Sequence, residues 1–385
     1  MSRIQRSCTA ALLAGAAFAV AIPFSAAMAS EEHLLYSFTG GGAYPNADVR
    51  LDDSGNLYGT TTFGGDADSG TVFKIASDGT ESVVHSFDGE AGGSSPNTGV
   101  LIQPSTGDLY GTTPSGGSGS GVIYKLAADG TYSVPHSFDN INDGSNPEGR
   151  LIGDKMGNLY GVAASGGAND AGTVFELKAS GKFKVLHTFS GTDGSVPAGV
   201  LQRDRAGNLY GATNSGGAHN DGTVFKIAPD GTLTTLYSFA GGSDGAFPDG
   251  GLARDKADNL YGATFGGGAA NTGTVFKLTP GGTETVLYSF TGGSDGGRPE
   301  GDLLLRRGAL YGVTTGGGDP SCQCGVVFEI TRKNTERVRH SFTGATADGS
   351  TPFAGVTKGA DGTLYGTTEF GGALDGGTVF SLTKN

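Results

Sequence analysis

From residue 30 onward, apolar segments only four to six residues long alternate with polar stretches rich in glycine, aspartate and asparagine, always in the same order. A Leu-Tyr-Gly segment recurs with its ring at Tyr58, Tyr110, Tyr160, Tyr210, Tyr261, Tyr311 and Tyr365. Each is followed by a G-[TV]-[VI]-[FY] segment ending at Phe73, Tyr124, Phe175, Phe225, Phe276, Phe328 or Phe380. Next comes [YH]-[ST]-F, whose phenylalanines are Phe38, Phe87, Phe138, Phe189, Phe239, Phe290 and Phe342. A fourth apolar segment follows a proline, as in Pro197-Ala-Gly-Val-Leu-Gln and Pro248-Asp-Gly-Gly-Leu-Ala. Short runs of Val, Leu, Phe, Tyr and Thr bounded by Asp-Gly and Gly-Asn predict strands joined by tight turns. Each unit of about 50 residues therefore holds four antiparallel strands, the blade pattern of a β-propeller.

The phase of the repeat predicts how the ring closes. The chain enters on a fourth-strand segment, Leu34 to Phe38, and leaves on a third-strand segment, Gly377 to Leu382. Every strand type occurs seven times, with one blade divided between the two ends. The expected fold is an all-β, seven-bladed propeller of four-stranded blades, its N-terminal strand completing the last blade and leaving no open sheet edge. An open solenoid would instead need polar capping repeats, and a parallel β-helix uses about half this period per coil.

The motif L-Y-G-[TAV]-[TA], then Gly-Gly, then G-[TV]-[VI]-[FY], as in Leu209-Tyr-Gly-Ala-Thr through Gly222-Thr-Val-Phe225, resembles the GloVer tandem-repeat family of glycine-rich repeats. The resemblance covers residues 34 to 382 and implies an exported bacterial repeat protein, often held at the surface by a C-terminal anchor. This sequence shows no such anchor, so a free periplasmic or secreted protein is expected. The resemblance brings no catalytic residues.

Composition narrows the alternatives. Glycine supplies 72 of 385 residues, which rules out long helices, where each would cost about 1 kcal/mol; without a G-X-Y period it is not collagen-like either. Tryptophan is absent, and 21 Phe with 13 Tyr are left to supply the large apolar surfaces. Arg3 and Arg6, the apolar stretch 10–22 and Ala27-Met28-Ala29 read as a signal peptide over residues 1–29, cleaved before Ser30. A single propeller domain over 30–385 remains. Loss of the two arginines takes the formal charge from −13 to −15. Such an acidic chain is not expected to bind nucleic acid or other ligands that need a broad basic patch. Nor is a membrane span expected after cleavage, and the mature protein is expected to be a monomer.

Repetition also sorts scaffold from candidate site, because a catalytic centre is one asymmetric cluster. His85, His136, His187 and His340 share a slot with Tyr36, Tyr237 and Tyr288 and read as amphipathic packing positions. His219, in Ala218-His-Asn-Asp221, has no histidine counterpart in other units and is a catalytic or metal candidate, or else a solvated loop residue. Asp48, Arg150 and Asp302 hold matching places early in the inner strands; they are the variable charges an enzyme's tunnel mouth would use, or else solvated tunnel charges. Cys322 and Cys324 are expected to form a small loop disulfide. Asp-Gly turns before each proline suggest calcium but lack the D-x-D-x-D-G ligand order, so no cofactor or metal is expected. In the Gly-Gly loops, Phe63 and Phe370 become neighbours on ring closure and Phe265 is similar; these are the candidate ligand-stacking rings. The reading is a non-catalytic exported binding module for carbohydrate or protein. Its alternative is an extracellular glycan lyase or hydrolase acting at the tunnel mouth.

Overall fold

A computed structural model describes residues 31–39 and 42–383; the signal-peptide reading lies outside them. No helix occurs among the described residues, and seven four-stranded antiparallel sheets form the seven blades of a propeller. Blade 4 shows the plan: Ser195–Arg203 innermost, then Leu209–Ser215, Thr223–Ile227 and Leu233–Ser238 at the rim. The Leu-Tyr-Gly and Val-Phe segments are the two middle strands, flanked on both sides and buried on both faces. They accordingly read as apolar runs.

Blade 7 is shared by the two ends of the chain. Thr357–Lys358, Leu364–Thr368 and Thr378–Thr383 are completed by Glu31–Ser37, which runs antiparallel from Glu31↔Thr383 to Ser37↔Thr378. The expected closure is present, with a bulge between Leu34 and Tyr36.

Two sets of contacts fasten each blade to the next. The phenylalanine ending each outer strand meets the third-strand ring of the following blade edge-on. The seven centroid distances, from Phe38–Phe73 to Phe342–Phe380, are all 5.1–5.2 Å. Near the axis, the residue before each proline donates its N–H to the preceding blade at 2.7–3.1 Å, from Tyr44 to Gly376 through Thr351 to Cys324. The proline then packs on that blade's glycine so tightly that a Cβ there would stand 2.5–2.9 Å from its Cδ; Gly377 against Pro45 closes the ring. The kink that allows this places all seven pre-proline residues at φ of 54–61°.

The histidine slot is structural. His136, His187, Tyr237, Tyr288 and His340 each bond the aspartate of the next Asp-Gly turn: Asp143, Asp193, Asp244, Asp295 and Asp348, at 2.7–3.1 Å. Those carboxylates also accept backbone N–H groups of their own turns. Each turn is therefore clipped to its blade. The sequence shows both partners but not their pairing.

Candidate functional site

The prolines lead directly into the tunnel. In blades 3, 4 and 6 the first strand is continuous through the proline but bulged, with register shifts at 148–152, 198–202 and 300–304. The bulge turns successive residues toward the axis. Stacking seven such segments builds rings. The residues after the prolines form the outer ring: Asn46, Asn97, Glu148, Ala198, Asp249, Glu300 and Phe353. Beneath them lie mostly glycines, and beneath those a ring containing Asp48, Arg150, Val200 and Asp302. All but Glu300 of these side chains line one central cavity of about 290 Å³.

The structure brings together the three tunnel charges singled out in the sequence. Asp48 Oδ2 lies 2.9 Å from the Arg50 guanidinium and 3.4 Å from Arg150 Nε. Asp302 Oδ1 accepts the Gly251 N–H at 2.8 Å. Burial, and then the Asp48 charge, pushes the Asp302 carboxyl upward. His219 does not join them: it stands exposed in its loop and does not line the cavity.

Sequence reasoning missed the outer ring. Glu148 and Asp249 are raised by burial, Glu148 further by Asp249. Glu300 is only 8% exposed; burial, then the charge of Asp249, pushes its carboxyl up to about 8. Glu369, in the adjacent loop, is raised by burial. Asn214 Nδ2 donates to Asp249 at 3.2 Å, Asn146 Nδ2 to Glu148 at 2.7 Å and Asn46 Nδ2 to Glu369 at 3.5 Å, and Thr315 bonds Glu300. The acceptors Asn46 Oδ1, Asn97 Oδ1 and Glu300 Oε2 are buried without a protein partner, which is costly unless something else binds them. The signal available in the sequence was the residue following each repeat's proline.

Above the ring lies an aromatic rim. Phe63 and Phe370 do come to one place, but they do not stack on each other; Tyr44 stands between them, edge-on at 5.8 and 5.3 Å. Phe63 is 43% exposed and Phe353, in the outer ring itself, 41%. Phe247 and Val196, pre-proline residues, are 38% and 36% exposed. Phe265 carries the Arg298 guanidinium 5.7 Å from its centroid, so its face is already occupied. The nearby Asp68 and Asp375 cap their own loops, each accepting a backbone N–H at 2.7–2.8 Å.

Away from the tunnel, Cys322 and Cys324 are joined as a disulfide within their loop. Among the described residues, one group of three potential metal-ligating side chains lies close together, Glu32, His340 and Asp348. Two of its members already form one of the repeated ring–aspartate clips.

The Gloeobacter/Verrucomicrobia repeat matches residues 14–220 and 199–385, nearly the whole chain. The chain belongs to that repeat family. No curated protein matches this family member. Among solved structures it is similar to the extracellular domain assigned to a hybrid two-component system of B. thetaiotaomicron, with a TM-score of 0.60 and 12% identity. The match covers 93% of this chain and 40% of that one, so the family member spans well under half of its structural relative. A gluconolactonase of Xanthomonas campestris is more distant, with a TM-score of 0.45, 16% identity, and coverage of 73% of this chain and 86% of that one. These likenesses concern the fold alone.

Proposed function

We propose that the protein is an exported binding propeller that takes a carbohydrate at the mouth of its tunnel. One observation carries the reading: an aromatic rim, the exposed Phe63 with half-buried Tyr44 and Phe370, stands over a polar cup in which the buried acceptors Asn46 Oδ1, Asn97 Oδ1 and Glu300 Oε2 have no protein partner. A sugar offers an apolar face for the rings and hydroxyl donors for the cup. Export agrees with the family resemblance and with the extracellular origin of the B. thetaiotaomicron relative. The test is a glycan-array screen of the mature protein, followed by Phe63→Ala/Phe370→Ala. Ring stacking is worth on the order of 1 kcal/mol per ring. The double variant should thus bind at least about tenfold more weakly, with a nearly unchanged melting temperature. Intact binding with a large melting shift would reassign the rings to the scaffold.

A specific observation favours a second reading, a glycan-active enzyme. Burial, then the Asp249 charge, pushes the Glu300 carboxyl up to about 8, and a carboxyl raised beside a second carboxyl is an arrangement that glycoside hydrolysis uses. Turnover assays on any array hit separate the two. An enzyme loses turnover in Glu300→Gln while keeping its ligand, and a binding module shows no turnover to lose.

A further inference from the structure

Four of the blade hairpins on the face opposite the mouth follow one plan, and blade 6 departs from it with the shortest turn of the seven. In blades 1, 3, 4 and 5 the turn between the first two strands begins with Asp52, Asp154, Asp204 or Asp255. Each accepts the side-chain amide of an asparagine four residues on, at 2.6–3.0 Å. Blade 6 drops both partners. Its strands Gly297–Arg306 and Ala309–Gly316 are joined by two residues alone, Arg307 and Gly308, at φ of 50° and 80°. This is the geometry of a tight hairpin turn in which Asn, Asp or Gly is the usual first residue. An arginine held in the left-handed region where a glycine would be unstrained points to a task for its side chain.

The neighbouring turn supplies matching charge. Arg332, Lys333 and Arg337 join Arg306 and Arg307 around a cavity of about 470 Å³. Arg332 Nε donates to the Arg307 carbonyl, and Arg306 donates to Gly362 O at 2.7 Å, so two guanidiniums are fixed by backbone. The one carboxylate in the lining, Glu329, is engaged by Tyr311 Oη at 2.9 Å and by Arg339 at 3.6 Å. Across the turn, Asp361 is taken by Thr363. Among the described residues none of the five lining cations has a carboxylate partner.

We propose that this basin binds an anionic phosphate group, either that of a free phosphate compound or that of an anionic lipid headgroup. Guanidinium forks fixed by backbone suit the bidentate geometry of phosphate oxygens. The basin is compact, so it coexists with a strongly acidic chain; whole-chain charge excludes a broad basic surface, not a local one. The proposal is independent of the tunnel reading, since the basin lies on the other face.

The test titrates the mature protein at low ionic strength with inorganic pyrophosphate, and separately with phosphatidylcholine vesicles with and without phosphatidylglycerol. Saturable binding that weakens as salt rises is expected in at least one arm. Pyrophosphate binding assigns a free phosphate, and binding confined to phosphatidylglycerol vesicles assigns a headgroup. The pair Arg332→Ala/Lys333→Ala should weaken binding about tenfold, the loss of roughly one charge-assisted hydrogen bond. Arg307→Gly discriminates further: it suits the turn, so the melting temperature should hold or rise while binding falls. Absence of binding in both arms, or variants that bind as the parent does, overturns the proposal.

Discussion

If the ring is closed by the chain's first strand, Phe38 must behave like the six phenylalanines that hold the same place in unbroken blades. Phe38 is buried and meets Phe73 edge-on at 5.1 Å, while Phe189 meets Phe225 at 5.2 Å. Truncating either ring opens a cavity in an otherwise equivalent seam, and Phe→Ala in such a core costs about 3–5 kcal/mol. The two variants should therefore be destabilised alike, within about 0.5 kcal/mol of each other. Guanidinium unfolding of the parent, Phe38→Ala and Phe189→Ala, followed by circular dichroism, makes the comparison. The Phe189 variant calibrates the seam, so the outcome does not rest on the absolute figure. A Phe38→Ala protein that unfolds with the parent, while Phe189→Ala is weakened, would show the first strand undocked and refute the closure. Deleting Glu31 to Phe38 should then also be silent; with closure it lowers stability by more than either single substitution.

Asp48→Ala removes the carboxylate between Arg50 and Arg150 and leaves two guanidiniums facing each other in the tunnel; a stability loss of roughly 3 kcal/mol is expected by chemical denaturation. Burial, then Asp244 and Asp295 respectively, raises Glu284 and Glu336 to about 7. Their folded values exceed the unfolded value of about 4.3. The melting temperature should thus fall as pH rises from about 4.5 through 7, and Glu336→Gln should flatten part of that slope. The mature protein should titrate no free thiol before reduction and run as a monomer on non-reducing gels. Reduction should lower stability by no more than about 1–2 kcal/mol, since the Cys322–Cys324 loop is so short.

Most of the architecture could be read from the chain because it is written seven times. A strand repeated at Tyr58, Tyr110 and onward declares its place by its neighbours, and the offset of the repeat against the termini declares the closure. What could not be read depends on positions where the copies differ. Glu148, Asp249 and Glu300 look like unrelated surface acids until seven post-proline segments, bulged in the blades of Glu148 and Glu300, converge on an axis. Phe63 and Phe370 were legible as neighbours, yet Tyr44, which separates them, sits before a proline in a different part of the repeat. The basin of blade 6 was hidden by averaging: Arg306, Arg307, Arg332 and Lys333 are visible as pairs, but the overall charge points the other way. Asp48, Arg150 and Asp302 were legible in register and needed only the fold to meet.

The kink before each proline has a consequence for how such a protein can diversify. Its backbone N–H and the following proline fasten the blades, and neither depends on which side chain the kinked residue carries. The seven side chains are Tyr44, Ser95, Asn146, Val196, Phe247, Arg298 and Thr351, all different and none of them the glycine that this conformation favours. The fastening is thus uniform while the displayed chemistry is not. The rim works as a seven-character field in which each character can be rewritten by one substitution, leaving the frame that holds it untouched.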